Sequence, residues 1–156
     1  MKIYAGSDHA GFKLKQKLIA HLRSGGHEVV DLGAPNDTSS DYPDYAQAVG
    51  RAVRDDGAAR GLLVCGSGIG VSIAANKVRG VRAFDAWNVE SATISRSHND
   101  TNVLCLGERL LPEPEAVSIT DAWLATPFEG GRHARRVEKI AAIERAESAS
   151  PDRKTP

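Results

Sequence analysis

The sequence has no excess of either charge: twenty Lys and Arg residues are matched by twenty Asp and Glu. That balance provides no electrostatic footprint for nucleic acid or an anionic membrane as the main partner. No apolar run approaches the roughly 20 residues that cross a bilayer, and the N-terminus has no signal-peptide pattern. Cysteine is scarce. Cys65 and Cys105 lie far apart, each in an apolar, strand-like run, and neither they nor the five histidines have metal-ligand spacing. These absences point to a cytoplasmic, metal-free protein rather than a disulfide-stapled one. No internal repeat divides the chain, and 156 residues suit one domain with a good core.

What is present is organised around Leu62–Lys77. Leu62, Leu63 and Val64 form a short apolar run of the kind found in a parallel strand covered on both faces. Cys65-Gly66-Ser67-Gly68-Ile69-Gly70 then reads as a glycine-rich turn into a helix. Glycines let backbone close around a small anion, and a helix start aims unpaired N–H groups at the same space. A thiol delivered there would find donors that favour its thiolate. The spacing is neither a Walker A loop nor the full dinucleotide fingerprint. A tight turn with a structural cysteine explains the loop equally well when it is taken alone.

The rest of the chain alternates. Lys2–Gly6 predicts a strand, followed by a helix with Leu14, Leu18, Ile19 and Leu22 on its inner face. Lys13, Lys15 and Lys17 are expected to face largely outward. Gly25-Gly26 stops that helix, Glu28–Leu32 is a second strand, and Gly33–Asp41 is loop. Tyr42-Pro43-Asp44 opens a helix with Ala46, Val49 and Val53 inside. After the central unit come a strand over Val81–Ala86, an Asn88-capped helix to about Ser97, a turn at His98–Asn102 and a strand over Val103–Leu106. Pro112 and Pro114 suit the start of a helix reaching Ala125, and a last helix runs from about Arg132 to Ala146. This pattern predicts a three-layer α/β/α Rossmann-like domain over residues 1–147, with a five-stranded parallel sheet and an extra C-terminal helix. Residues 148–156 have the composition of a disordered tail.

Such sheets bind ligands beyond the C-terminal ends of their strands. Ser7, Asp8 and His9, the Cys65 loop, and Gly107 to Arg109 all follow strands. Asp8 suits an N-cap, which leaves His9 to be explained by function. His98 falls at a helix C-terminus, where a histidine also serves as a cap. Arg132 and Arg136 share a helix face near its start, where like charges oppose each other and the dipole, a penalty that a bound phosphate would reverse and that Glu129 and Glu138 would also offset. Cys105, Trp87 and Trp123 read as packing residues.

Gly6-Ser7-Asp8-His9-Ala10-Gly11, Asp41-Tyr42-Pro43, Cys65–Gly70 with Ile73–Lys77, Ser97-His98-Asn99-Asp100 and Gly130-Gly131-Arg132-His133 together resemble the ribose-5-phosphate isomerase B family. That family also holds allose-6-phosphate and galactose-6-phosphate isomerases. The resemblance covers roughly residues 1–146. It implies a cofactor-free, metal-free aldose–ketose isomerase of the pentose phosphate pathway, built as a homodimer or a dimer of dimers with shared active sites. Cys65 matches the family's base, which moves a proton between C1 and C2. A second subtype has a glutamate where this chain has Val71, so the chain resembles the cysteine type. Ser67 and the backbone of Gly66, Gly68, Ile69 and Gly70 match the anion hole for the enediolate. His98 matches the ring-opening group, with Asp8 on the other side of the ring. His9, Arg109, Arg132 and Arg136 match phosphate ligands, and Tyr42 and Asn99 line the sugar.

The expected division across the dimer assigns His98, Asn99 and Arg109 to one chain, and Cys65, Asp8, His9, Arg132 and Arg136 to the other. Two further readings are the same chemistry on another sugar phosphate of four or six carbons, and a non-catalytic phospho-ligand-binding module. The second leaves Cys65, His98 and the paired arginines without a shared purpose.

Overall fold

Among the described residues five strands alternate with helices, as the apolar runs require. The computed structural model describes residues 1–149. The strands are β1 (Lys2–Ser7), β2 (Glu28–Asp31), β3 (Arg60–Cys65), β4 (Ala83–Asp85) and β5 (Val103–Gly107). All four pairings are parallel, in the order β2-β1-β3-β5-β4. Helices α1 (Phe12–Ser24), α2 (Tyr42–Asp55), α3 (Ile69–Ala75), α4 (Val89–Asn99) and α5 (Glu113–Ala125) connect or follow them. The last helix, α6 (Arg132–Ala149), lies beside α4.

Two apolar layers sandwich the sheet. Leu14, Leu18, Ile19 and Leu22 of α1 pack with Ala92 of α4 and Ala116, Ile119 and Trp123 of α5 on one face. Ala46, Val49 and Val53 of α2 pack with Val71 and Ala75 of α3 on the other. Burial on both faces explains why β3 and β5 read as unbroken apolar runs. The predicted three-layer architecture is therefore the observed one.

Several local expectations change. Lys15 is fully buried rather than outward. It stands four residues before Ile19 and seven before Leu22, so it belongs to the inner stripe of α1. Its Nζ reaches Asp31 Oδ1 at 2.6 Å and Ala34 O at 2.8 Å, which tethers the end of β2 and the loop beyond it. Trp87 is 64 % exposed, so it packs no core; its indole N–H donates to Asp85 Oδ2 at 2.8 Å. Trp123 is buried, with its N–H donating to Thr101 Oγ1. Helix α4 runs through His98 and Asn99, which end the helix instead of forming the turn beyond it. Helix α6 continues through Ser148 and Ala149, and the remainder of the expected tail, 150–156, lies outside the described residues.

The chain order creates one switch point. From β1 the chain steps outward to β2, then returns across β1 to β3. The crevice beyond the C-terminal ends of β1 and β3 is where open α/β sheets take their ligands.

Candidate active site

That crevice is lined by Asp8, His9, Ala10, Tyr42, Cys65, Gly66, Ser67, Gly70, Arg109 and Leu110, around a cavity of about 360 Å³. Asp8 follows β1, and its Oδ1 accepts the N–H groups of Ala10 and Gly11 at 3.0 Å each. The capping reading of Asp8 is thus correct, and its carboxylate still borders the cavity. His9 comes next in the chain. Its Nδ1 lies 3.2 Å from both the N–H and the carbonyl of Ser40, which orients the ring against the loop before α2. Ser7 ends β1 itself and is fully buried, outside the crevice lining.

Cys65 ends β3 at 4 % exposure, and Gly68 N–H donates to its Sγ at 3.1 Å. Gly68 holds φ +80°, which turns the chain into α3, and a Cβ there would fall 1.9 Å from Asp85 Oδ1. Only glycine fits both constraints. Gly70 admits a close approach instead: a Cβ would stand 2.8 Å from the Tyr42 ring, which packs over the loop. Ser67 Oγ lies 3.4 Å from Ile69 N–H at the start of α3, so hydroxyl and backbone donors share one small space. From the next strand, Glu108 N–H donates to Cys65 O at 2.9 Å and Arg109 N–H to Gly66 O at 3.0 Å. The Arg109 guanidinium then lies against Gly66.

The other expected residues gather elsewhere. Helix α4 starts just past the C-terminal end of β4 and runs back along the sheet, so His98 and Asn99 lie by the strand starts. Asn102 N–H donates to the carbonyl of Arg82, the residue that leads into β4. Glu129 N–H donates to Ser97 O at 3.0 Å, which brings the start of α6 to the same end. There His98 stacks on His133 with ring centroids 4.1 Å apart and planes 9° apart. Arg132 Nε donates to His133 Nε2 at 3.3 Å, and Arg136 follows one turn later. Burial first, then His98 and Arg132, holds His133 below the usual histidine range.

The expected division of residues is therefore corrected at three positions. Arg109 lies with Cys65, while Arg132 and Arg136 lie with His98. Strand direction is the reason: a residue after β5 and one before it are at opposite ends of the sheet. His133 and Glu129, which the fold sets beside His98, drew no expectation of a role from the sequence. The Gly130-Gly131-Arg132-His133 run was the available signal. Asp85, also missed, sits under the Gly68 corner with Oδ1 buried and without a hydrogen-bond partner among the described residues, and burial raises its pKa above the usual carboxylate range. Cys105 is buried core, where burial pushes its thiol well up.

A thiol, a histidine, a carboxyl group and a guanidinium thus line one crevice around a glycine-rich loop at a sheet's switch point, a set of groups able to carry out acid–base chemistry on a small anion. The chain belongs to the Ribose/Galactose Isomerase family, whose profile matches residues 3–140. It is 50 % identical over 143 residues to ribose-5-phosphate isomerase B of Escherichia coli, covering 92 % of this chain and 96 % of that one. A structure of the Clostridium thermocellum ribose-5-phosphate isomerase B superposes with a TM-score of 0.92 at 48 % identity, covering 94 % of this chain and 99 % of that one. The Mycoplasma genitalium enzyme, solved with bound ribulose 5-phosphate, superposes with a TM-score of 0.89 at 41 % identity, covering 96 % and 97 %.

Proposed function

We propose that this protein interconverts ribose 5-phosphate and ribulose 5-phosphate by proton transfer through an enediolate. The observation that carries the reading is Cys65 Sγ, set at the end of β3 within 3.1 Å of a loop N–H in a crevice that also holds His9 and Arg109. The relatives named above act on that sugar phosphate by their names.

In the aldose-to-ketose direction, the Cys65 thiolate takes the C2 proton and returns it to C1. The proton on O2 leaves as one appears on O1. Negative charge on the carbonyl oxygen is met by the loop's N–H groups and Ser67. Losing one such donor costs about 3 kcal/mol of transition-state stabilisation. His9 and Arg109 hold the phosphate end, and Tyr42 walls the sugar. Ring opening precedes this step and falls to His98, with Asp8 across the ring.

His98 needs a second chain to take part. Helix α4 has eleven residues, a span of about 16 Å, so His98 cannot reach Cys65 of its own chain. A homodimer that brings the His98, Asn99, Arg132 and Arg136 end of one chain over the Cys65 crevice of its partner completes the site. Ile69 and Ile73, four apart and exposed on α3 beside the crevice, supply apolar surface for that contact. Both cysteines are unbridged, in keeping with a cytoplasmic enzyme. No helix among the described residues is long and apolar enough to cross a membrane.

Side-by-side kcat/KM values on ribose 5-phosphate, allose 6-phosphate, galactose 6-phosphate and erythrose 4-phosphate test the assignment. Ribose 5-phosphate should lead by at least about tenfold, which corresponds to about 1.4 kcal/mol. A six-carbon substrate in first place would move the chain to another member activity of the family.

A further inference from the structure

Folding assembles a ligand set that the sequence disperses. The metal-binding atoms of His98 at the end of α4, Glu129 in the loop after α5, and His133 in the first turn of α6 all lie within 4.8 Å of one another. Glu129 Oε2 is 3.8 Å from His98 Nε2 and 3.7 Å from His133 Nε2. Both separations exceed hydrogen-bond range, so neither ring satisfies the carboxylate. They lie close to the roughly 3.3 Å between neighbouring ligand atoms around a tetrahedral ion with bonds of about 2.0–2.1 Å. The backbone beneath is fastened, by Glu129 N–H to Ser97 O at 3.0 Å and His133 N–H to Gly130 O at 2.9 Å. The backbone carrying the trio is thus fixed, and only side chains have to move to meet an ion.

We propose that His98, Glu129 and His133 form a binding site for a borderline divalent cation of the Zn²⁺ type, and that its occupancy switches the enzyme off by sequestering His98. Two imidazoles and one carboxylate suit Zn²⁺ or Co²⁺, whereas Mg²⁺ and Ca²⁺ take oxygen ligands. Parallel stacking does not by itself aim two in-plane lone pairs at one point. The His98 side chain is 37 % exposed, however, whereas His133 is buried, so the proposal has the His98 ring turn toward the ion while His133 stays packed. Arg132, exposed, withdraws its Nε from His133 Nε2. Its charge and that of Arg136 oppose a cation, so the site is reversible rather than structural. Three protein ligands leave a fourth position open to water. With its Nε2 on the metal, His98 no longer carries a proton to or from a sugar ring oxygen. That consequence rests on the isomerase reading, whereas occupancy does not.

The test has two arms. In the first, protein stripped with EDTA is titrated with Co²⁺, and the visible ligand-field bands are followed. One ion per chain should bind to the wild type and to Cys65→Ala with equal affinity, and both Glu129→Gln and His133→Asn should weaken it at least about tenfold. Glu129 is exposed, so its variant keeps the fold. In the second arm, Zn²⁺ is titrated into the ribose 5-phosphate reaction. Glu129→Gln should keep its activity without metal and require at least about tenfold more Zn²⁺ for half inhibition. Cobalt bands that vanish in Cys65→Ala and survive in Glu129→Gln would assign the metal to the thiol and overturn the proposal. Cobalt binding at the trio without Zn²⁺ inhibition would overturn the switch. If the protein proves inactive on every sugar phosphate, the first arm still decides the site.

Discussion

Cys65 has one side chain's worth of chemistry and no room to spare: it is buried, with one N–H donor on its sulfur and the sheet behind it. On the proposed mechanism, replacing it with Ala removes the base, and it leaves a void of one sulfur atom. Cys65→Ala should lower kcat by at least about a thousandfold, as the loss of a general base does, while stability falls by only about 1 kcal/mol. Steady-state kinetics beside a thermal melt read both, and near-normal turnover would remove Cys65 from its role. Asp85 makes a different prediction. Its pKa is raised by burial in the fold, so the native state binds a proton that the unfolded chain releases at lower pH. Stability is then fully present below the ordinary carboxylate pKa of about 3.9 and falls as pH climbs from there through the raised native value. Asp85→Asn keeps the shape and removes the titration. Denaturant melts across mildly acidic pH should show this decline in the wild type and a flatter profile in Asp85→Asn. Equal slopes would mean that Asp85 titrates normally.

Among the elements, the alternation of strands and helices was legible because periodicity and punctuation agreed. Asn88 accepts Ser91 N–H at 2.7 Å as an N-cap should, and Gly25 follows the last residue of α1 as a helix stop. Lys15 was misread because three lysines in alternation suggest a wet face, although its ammonium reaches a carboxylate and a carbonyl beyond the helix. The Cys65 crevice was legible as well, since Asp8, His9, Cys65, Ser67 and Arg109 sit at or just past strand ends, which converge at a switch point. The partition of the remaining residues was not. Whether Arg109 keeps company with Cys65 or with His98 depends on which end of β5 it leaves, and on the direction of α4 relative to the sheet. Motifs show which residues belong to a family's site, whereas topology decides which of them one chain can bring together.

At the scale of the whole molecule, the Cys65 and His98 clusters lie at opposite ends of one sheet. On the dimer reading, Cys65→Ala and His98→Ala are each inactive because every homodimer lacks one component in both sites. A mixed dimer has one site with both lesions and one with neither. Equal amounts of the two variants, exchanged at random, should therefore recover about a quarter of wild-type activity, half of the dimers being mixed and each with one working site. Verified exchange with no recovered activity would mean that each site is built within a single chain.

The direction of α4 also ties the reaction order to assembly. Because that helix carries His98 away from its own Cys65, on the proposed mechanism a lone subunit would hold the Cys65 thiol without the group that opens the ring. On dilution below the dissociation constant of the pair, turnover would fall with the square of the protein concentration, while alkylation of Cys65 would proceed in proportion to it. The cell would then regulate this step through how much of the chain it makes, and twice the protein would yield more than twice the flux.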